Sequence, residues 1–311
     1  MGFHLADEPG DQQLPMINKW VQSMTNSFPS LVAYVGLFPT YVGYDTARYK
    51  RYVDAMASSR AQVVAYDYYP FNQYGMRNDY FWNMKVMASA AGRYNKVFWP
   101  TVYATQHYFM TDDCKEKKWT YVPVTAALLQ IVTYAPLCYG ANGIMYFTYA
   151  SPGKDGCGEE YEAAARENPE LYSIMREHNA HLSKFGNELN SAKWMAAVHE
   201  NKTSIYSGET VPTVTSSTPV IKSLDESQLL VGIFASAKNV NLLTVLNKDS
   251  SATIDAKMAV SGIRKVERYN ASLQSWEAFS SVSVDNNKKQ MLISLSVSPA
   301  DLQLFRLSPV R

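Results

Sequence analysis

Over roughly the first 190 residues, short apolar runs alternate with longer stretches whose apolar positions recur every three or four residues. The short runs lie around Phe3 and Leu5 and at 31–38, 63–69, 97–103 and 143–149. Most are nearly continuous in apolar character, which predicts parallel strands covered on both faces. The periodic stretches carry five stripes. They are Leu14, Ile17, Val21 and Met24; Tyr49, Tyr52, Val53 and Met56; Tyr80, Met84, Met87 and Ala91; Val124, Leu128, Ile131 and Ala135; and Leu171, Ile174, Met175, His178, Leu182 and Phe185. Each predicts a helix with one buried face. Strand–helix alternation repeated five times predicts an α/β fold.

Beyond about residue 192 the helical period disappears. Short strand-like runs at 229–234, 240–246, 263–269, 291–297 and 302–307 are separated by polar turns such as 285–289. This predicts an antiparallel β-sandwich domain over 192–311, after an α/β portion over 1–191. Two architectures fit the α/β portion. One is a complete, doubly wound open sheet. The other is a partial TIM (β/α)8 barrel of five βα units, since a whole barrel needs roughly 250 residues. No Gly-rich phosphate loop follows any run, and the chain opens directly in a strand. Both features favour a barrel lacking its first three βα units.

Composition narrows the function classes. The 311 residues are 47% hydrophobic and 18% charged with a net charge of +1, which gives no reason to expect nucleic acid or an anionic membrane surface as partner. No apolar run approaches the roughly 20 residues of a bilayer span, and no signal-peptide pattern follows Met1. The 22 Tyr and 6 Trp supply rigid amphipathic rings suited to a cleft wall as well as to a core. Cys114, Cys138 and Cys157 form neither a disulfide framework nor a metal site, and Cys138 lies in an apolar helical stretch that predicts a buried thiol. No His, Asp and Glu cluster has metal-ligand spacing, so neither metal nor cofactor is expected.

In either architecture, chemistry belongs at the carboxyl ends of the strands. Those ends carry His4, Asp7 and Glu8; Asp67 and Tyr69; Tyr103, Gln106 and His107; and Tyr146 and Tyr149, before a loop at 151–160. Asp7 and Glu8 have a bland reading as the start of a helix, where carboxylates favour the dipole. A cleft of aromatic rings floored by carboxylates suits a carbohydrate instead, because rings stack on sugars while carboxylates and imidazoles bind hydroxyls. Cleaving an acetal needs an acid for the leaving oxygen and a second carboxylate as nucleophile or base. Glu8, beside Asp7, is the natural acid.

At this point a resemblance becomes specific. Asp7-Glu8-Pro9 resembles the fourth-strand motif of the (β/α)8 glycoside hydrolases related to β-galactosidases and cellulases, where Asn-Glu-Pro carries the acid/base Glu. Tyr66-Asp67-Tyr68-Tyr69-Pro70, residues 141–149 and residues 300–307 extend the resemblance to a group of glycosidase-like proteins of gut bacteria. It covers nearly the whole chain. Asp7 replaces the family's Asn. The seventh-strand nucleophilic Glu would fall at 97–106, where only Thr105, Gln106 and His107 follow the strand. The second carboxylate is therefore expected elsewhere. Asp67 comes first, with Asp155, Glu159 and Glu160 behind it. The competing reading makes Asp67 an orienter of neighbouring Tyr residues.

The resemblance implies hydrolysis of glycosidic bonds in poly- or oligosaccharides, with Glu8 and Asp67 catalytic. His4, Asp7, Tyr69, Tyr103, Gln106, His107, Tyr146 and Tyr149 would bind the substrate. His4 and His107 have a competing reading as rim or core histidines. A degenerate barrel that binds carbohydrate without cleaving it is the alternative function. In a barrel the loops holding Cys114 and Cys157 are neighbours, so these two either pair, as suits a secreted bacterial protein, or remain free thiols. The expected compartment is extracellular or periplasmic, provided the full-length protein carries a signal peptide.

Overall fold

The structure is a computed structural model, and it describes residues 2–40, 43–151, 158–200, 205–206, 208–226, 228–236 and 240–310. The chain gathers into two compact units. The first comprises Met1–Val124, Ala141–Tyr172 and Ser204–Glu209, and the second Thr125–Gly140, Ser173–Thr203 and Thr210–Arg311.

The first unit is built on strands β1 (Gly2–Asp7), β2 (Val32–Leu37), β3 (Val63–Asp67), β4 (Val97–Tyr103), β5 (His107–Met110), β6 (Lys117–Thr120), β7 (Met145–Phe147) and β8 (Glu159–Tyr161). Helices α1 (Leu14–Ser27), α2 (Thr46–Ala57) and α3 (Tyr80–Arg93) connect the first four. The main sheet runs β1-β2-β3-β4-β7, and every neighbouring pair in it is parallel. That order decides between the two architectures. A doubly wound sheet reverses direction at a switch point. Here each strand is laid beside the last, so right-handed crossovers repeat in one direction and put their helices on one face. The sheet is a parallel half-barrel wall.

Local sequence explains the helices. Asp45 caps α2 by accepting from the Arg48 amide at 2.7 Å, and Pro15 occupies the first turn of α1, where its missing N–H is harmless. Leu14, Ile17 and Val21 of α1 and Tyr49, Tyr52, Val53 and Met56 of α2 are buried, as their stripes predict. Helix α3 departs from its stripe, since Phe81, Trp82 and Asn83 are buried too. The strands depart from expectation more instructively. In β2, Ala33, Val35 and Leu37 are buried while Tyr34 and Gly36 are only half-buried; in β4, Phe98, Pro100 and Val102 are buried while Trp99 and Thr101 are not. These strands are covered on one face only, because the other borders a cavity.

The second unit contains α4 (Ala126–Cys138) and most of α5 (Pro169–Asn190), with strands β9 (Ala192–His199), β10 (Ile221–Leu224), β11 (Leu229–Ser236), β12 (Asn241–Asn247), β13 (Ile254–Ser261), β14 (Ile263–Asn270), β15 (Ser275–Ala278), β16 (Val282–Asp285), β17 (Gln290–Val297) and β18 (Leu302–Pro309). They form a six-stranded sheet, β9-β11-β12-β18-β14-β15, and a four-stranded one, β10-β13-β17-β16. Every described pairing in both is antiparallel.

Period-two alternation turns Leu229, Val231 and Ile233 of β11 into one core with Met258, Val260, Ile293 and Leu295. The next residue on the opposite face, Phe234, packs with Leu242 and Leu304 against Phe185 and Leu189 of α5. Helix α4 lies so close to this face that a Cβ on Gly232 would collide with the Cys138 carbonyl and Thr244 Oγ1. Cys138 is fully buried, and burial pushes its thiol up to about 12, so it is an inert core residue. Cys114 is disulfide-bonded. The partner considered for it, Cys157, lies outside the described residues.

Candidate active site

One face of the parallel sheet opens into a cavity of about 800 Å³ within the first unit. Its floor begins at β1. The register between β1 and β2 slips between His4 and Ala6. In an unbroken strand residues 4 and 7 would point to opposite faces; the irregularity re-aims them, and His4 Nε2 comes 3.6 Å from Asp7 Oδ1. The His4 ring stacks on Tyr34 at 4.9 Å. Gly36 leaves room beneath, since a Cβ there would stand 3.0 Å from Asp7 Oδ1 and 3.2 Å from His4 Nε2.

Glu8 follows in a left-handed conformation, with φ of 43°, which is uncommon for a residue bearing a Cβ. The turn is held from both sides. The Glu8 amide donates to the Gly36 carbonyl at 2.8 Å, and the Tyr52 hydroxyl donates to the Pro9 carbonyl at 2.9 Å while accepting from the Phe38 amide at 3.2 Å. Asp11, one turn on, accepts from Arg48 Nε at 2.9 Å and from the Tyr44 hydroxyl. Asp7-Glu8-Pro9 is therefore a braced strand end, and not the first turn of α1, which begins at Leu14.

Asp67 ends β3 in the same cavity. Its Oδ1 is buried with no hydrogen-bond partner among the described residues, while the Tyr69 hydroxyl bonds the carboxyl. Burial, and then the charges of Glu8 and Asp7, push this carboxyl up to about 8 against the opposing effect of Tyr69. The next residue, Tyr68, is anchored by its hydroxyl to Asp79 and by the Arg77 guanidinium 4.5 Å from its ring centroid. Asp79 also accepts from Thr40, which in turn accepts from Asn83 Nδ2 at 2.9 Å.

The opposite wall comes from the small antiparallel sheet β8-β5-β6. Its register pairs Tyr161 with His107 and both Glu159 and Trp119 with Phe109. Residues directly opposite share a face. Hence His107, Phe109, Trp119, Glu159 and Tyr161 all line the cavity, whereas Glu160 turns away to accept from the Tyr108 hydroxyl at 2.8 Å. His107 is fully buried. Its Nδ1 lies 2.9 Å from the Thr105 carbonyl, and desolvation pushes its pKa down to about 4, so the ring is neutral. His107 Nε2 sits 3.3 Å from Glu159 Oε1, but the contact is not aligned as a hydrogen bond, and a neutral ring makes no ion pair. Burial raises the pKa of Glu159 as well.

The expected site residues divide accordingly. His4, Asp7, Glu8, Asp67, Tyr69, His107 and Tyr146 line the cavity together. Tyr103, Gln106 and Tyr149 do not. Tyr103 is a core residue behind the wall, its ring 6.0 Å from that of Tyr69; Gln106 offers its backbone carbonyl to the Glu162 amide; and Tyr149 is exposed beside Tyr172. Asp155 lies outside the described residues. Tyr34, Arg77, Trp119, Tyr121 and Phe147 also line the cavity, and spacing alone did not single them out. Among the described residues, no three His, Cys, Asp or Glu side chains gather as a metal site, and no helix is long and apolar enough to cross a membrane.

No family model and no curated protein sequence matches the chain. Solved structures do. A rhamnosidase from Novosphingobium sp. PP1Y superposes with a TM-score of 0.60 at 9% identity, over 97% of this chain and 39% of that one. An exo-carrageenase GH42 from Bacteroides ovatus, in its apo form, superposes with a TM-score of 0.50 at 9% identity, over 96% of this chain and 55% of that one. The chain thus spans between about two fifths and just over half of these neighbours' lengths, and over that part it shares their fold.

Proposed function

We propose that the protein hydrolyses glycosidic bonds in poly- or oligosaccharides, with Glu8 as general acid/base and Asp67 as the second carboxyl. One observation carries the reading: Glu8 and Asp67 line a single aromatic-walled cavity and sense each other's charge. Acetal cleavage needs one carboxyl protonated and one ionised. Two coupled carboxyls titrate as a pair, and one proton between them meets that need. Burial favours the proton on Asp67, and the acid step of this reading needs it on Glu8 with Asp67 ionised. Glu8, only half-buried, exchanges protons with solvent, as an acid/base that reloads in each turnover must. In the reaction the acid's proton passes to the glycosidic oxygen as the C–O bond breaks. Ionised Asp67 attacks the anomeric carbon, to be released later by water, or takes a proton from the water that itself attacks that carbon. His4, Asp7, Tyr69, His107 and Tyr146 serve as the sugar-binding wall in this reading.

The same reading makes residues 1–191 the barrel portion and 192–311 an accessory sandwich, in a bacterial protein related to the gut glycosidase-like group. The disulfide at Cys114 suits an extracellular or periplasmic site of action. A second reading, carbohydrate binding without cleavage, is favoured by the missing carboxylate just after β4, where Thr105, Gln106 and His107 stand.

The test is a panel of 4-nitrophenyl glycosides assayed with the wild type and Glu8→Gln. The expected result is hydrolysis by the wild type and a loss of about 10²- to 10⁴-fold in the folded variant. Equal turnover by both would remove Glu8 from its role. Sugar binding by a wild type that cleaves nothing would establish the second reading.

A further inference from the structure

We infer that His107 and Glu159 form the specificity-determining pole of the cavity, selecting a neutral, hydroxyl-bearing sugar ring over its carboxylated or sulfated counterpart. The inference rests on the carbohydrate reading above and adds the class of sugar that the site takes.

The tautomer of His107 is fixed by its surroundings. The Thr105 carbonyl can only accept, so Nδ1, 2.9 Å away, must carry the proton. Desolvation keeps the ring from taking a second one, with its pKa held near 4. Nε2 therefore presents a lone pair. The ring is locked in place by Tyr121, with centroids 4.3 Å apart, and by stacking on Tyr161 at 5.4 Å. Nε2 is buried and has no hydrogen-bond partner among the described residues. A buried acceptor left unpaired costs free energy, so a ligand that donates to it gains what the empty site forgoes. The carboxyl of Glu159, 3.3 Å away, stands where it can meet the neighbouring hydroxyl of the same ring.

An anionic substituent fails on both counts. A carboxylate or sulfate brings only acceptors to Nε2, and brings negative charge into a cavity whose wall already carries the acidic side chains of Asp7, Glu8 and Glu159. The guanidinium on the wall is engaged. Arg77 covers the Tyr68 ring and lies 3.7 Å from Asp79. A site that pairs hydroxyls rejects an analogue lacking the matching donor far more strongly than apolar contacts alone discriminate.

The experiment is calorimetric titration of the full chain at pH 7 with glucose, galactose and mannose, each against its uronate. Binding of at least one neutral sugar, with its uronate at least tenfold weaker, is expected. In His107→Gln, whose carboxamide offers N–H donors as well as an acceptor, that ratio should shrink several-fold. Glu159→Gln, which removes the charge, should shrink it too, and it keeps the question decidable if the first variant does not fold. Uronates binding as tightly as the neutral sugars would overturn the inference and leave the carbohydrate reading standing. A folded wild type that binds no saccharide would overturn that reading and the inference with it.

Discussion

Asp67 and His107 are buried beside the same cavity and hold their protons in opposite senses, which has consequences for stability. A buried acid resists losing its proton and a buried base resists gaining one. His178, fixed by Thr133 Oγ1 in the second unit, behaves like His107, its pKa pushed down to about 4 by burial and then by the charge of His181. Both imidazoles titrate lower in the folded protein than the ordinary 6.5. The unfolded chain therefore binds more protons between about pH 6.5 and 4, and stability falls as the pH drops through that window. Asp67 acts the other way, since its raised pKa makes the folded state the better proton binder from about pH 4 to 8, and its contribution is lost as the pH rises. Urea denaturation at pH 6.5 and 4.5 checks the histidine effect. Wild type should lose on the order of 2 kcal/mol more than His178→Gln over this interval. Equal losses would show that His178 titrates normally. At this scale the placement of Glu8 and Asp67 on one cavity was legible in the sequence, because both stand at the carboxyl ends of parallel strands in one sheet. Glu159 ranked behind Asp67 because its side of the strand depends on a cross-strand register that no spacing encodes.

The strand end that carries Glu8 is an element-scale device. A register slip in β1, a left-handed residue and one tyrosine hydroxyl together set its direction. Tyr52 was legible only as part of a helical stripe; that its hydroxyl ties the Pro9 carbonyl to the Phe38 amide follows from how α2 meets two strand ends. Removing that hydroxyl takes away both the buried bond to the Pro9 carbonyl and the bond from the Phe38 amide. Tyr52→Phe should therefore lower stability by roughly 1–3 kcal/mol and also slow turnover, with hydrogen exchange at the Phe38 amide accelerated. Unchanged exchange would show that the turn does not depend on this bond. The helical periods located α1, α2 and α5 well. They misjudged the breadth of burial in α3 and α4, because an amphipathic stripe records a helix's solvent face and these helices have little of one. The strands erred in the opposite direction. β2 and β4, which look covered on both faces, are half open, since residues such as Tyr34 and Thr101 suit a cavity wall as well as a core, whereas β3 is buried along nearly its whole length.

For the whole molecule, strict strand order is what separates a half-barrel from a doubly wound sheet, and it lies in pairings that the sequence does not display. The β-sandwich was readable from its alternating strands, although β9, β10, β13, β15 and β16 went unread because they are short or interleaved with charge. That α4 and most of α5 gather with the sandwich was beyond reach, because periodicity states that a face is buried and not against what. Gly232 reports that packing, its missing side chain making room for α4. Gly232→Ala should destabilise the second unit by about 1–3 kcal/mol in thermal or urea unfolding, as overpacking does, and a neutral effect would contradict this close approach.

The proposed hydrolysis depends on Glu8 and Asp67 acting as a coupled pair. The most direct measurement is the titration of the Asp67 side chain by carbon-13 NMR in the wild type and in Glu8→Gln. In the wild type the carboxyl should titrate near 8. In the variant it should fall while staying above the ordinary carboxylate range, because burial, the larger cause, remains when the neighbouring charge is gone. An Asp67 that titrates near 4 in the wild type, or that ignores the loss of Glu8, would contradict a coupled pair at the centre of this site.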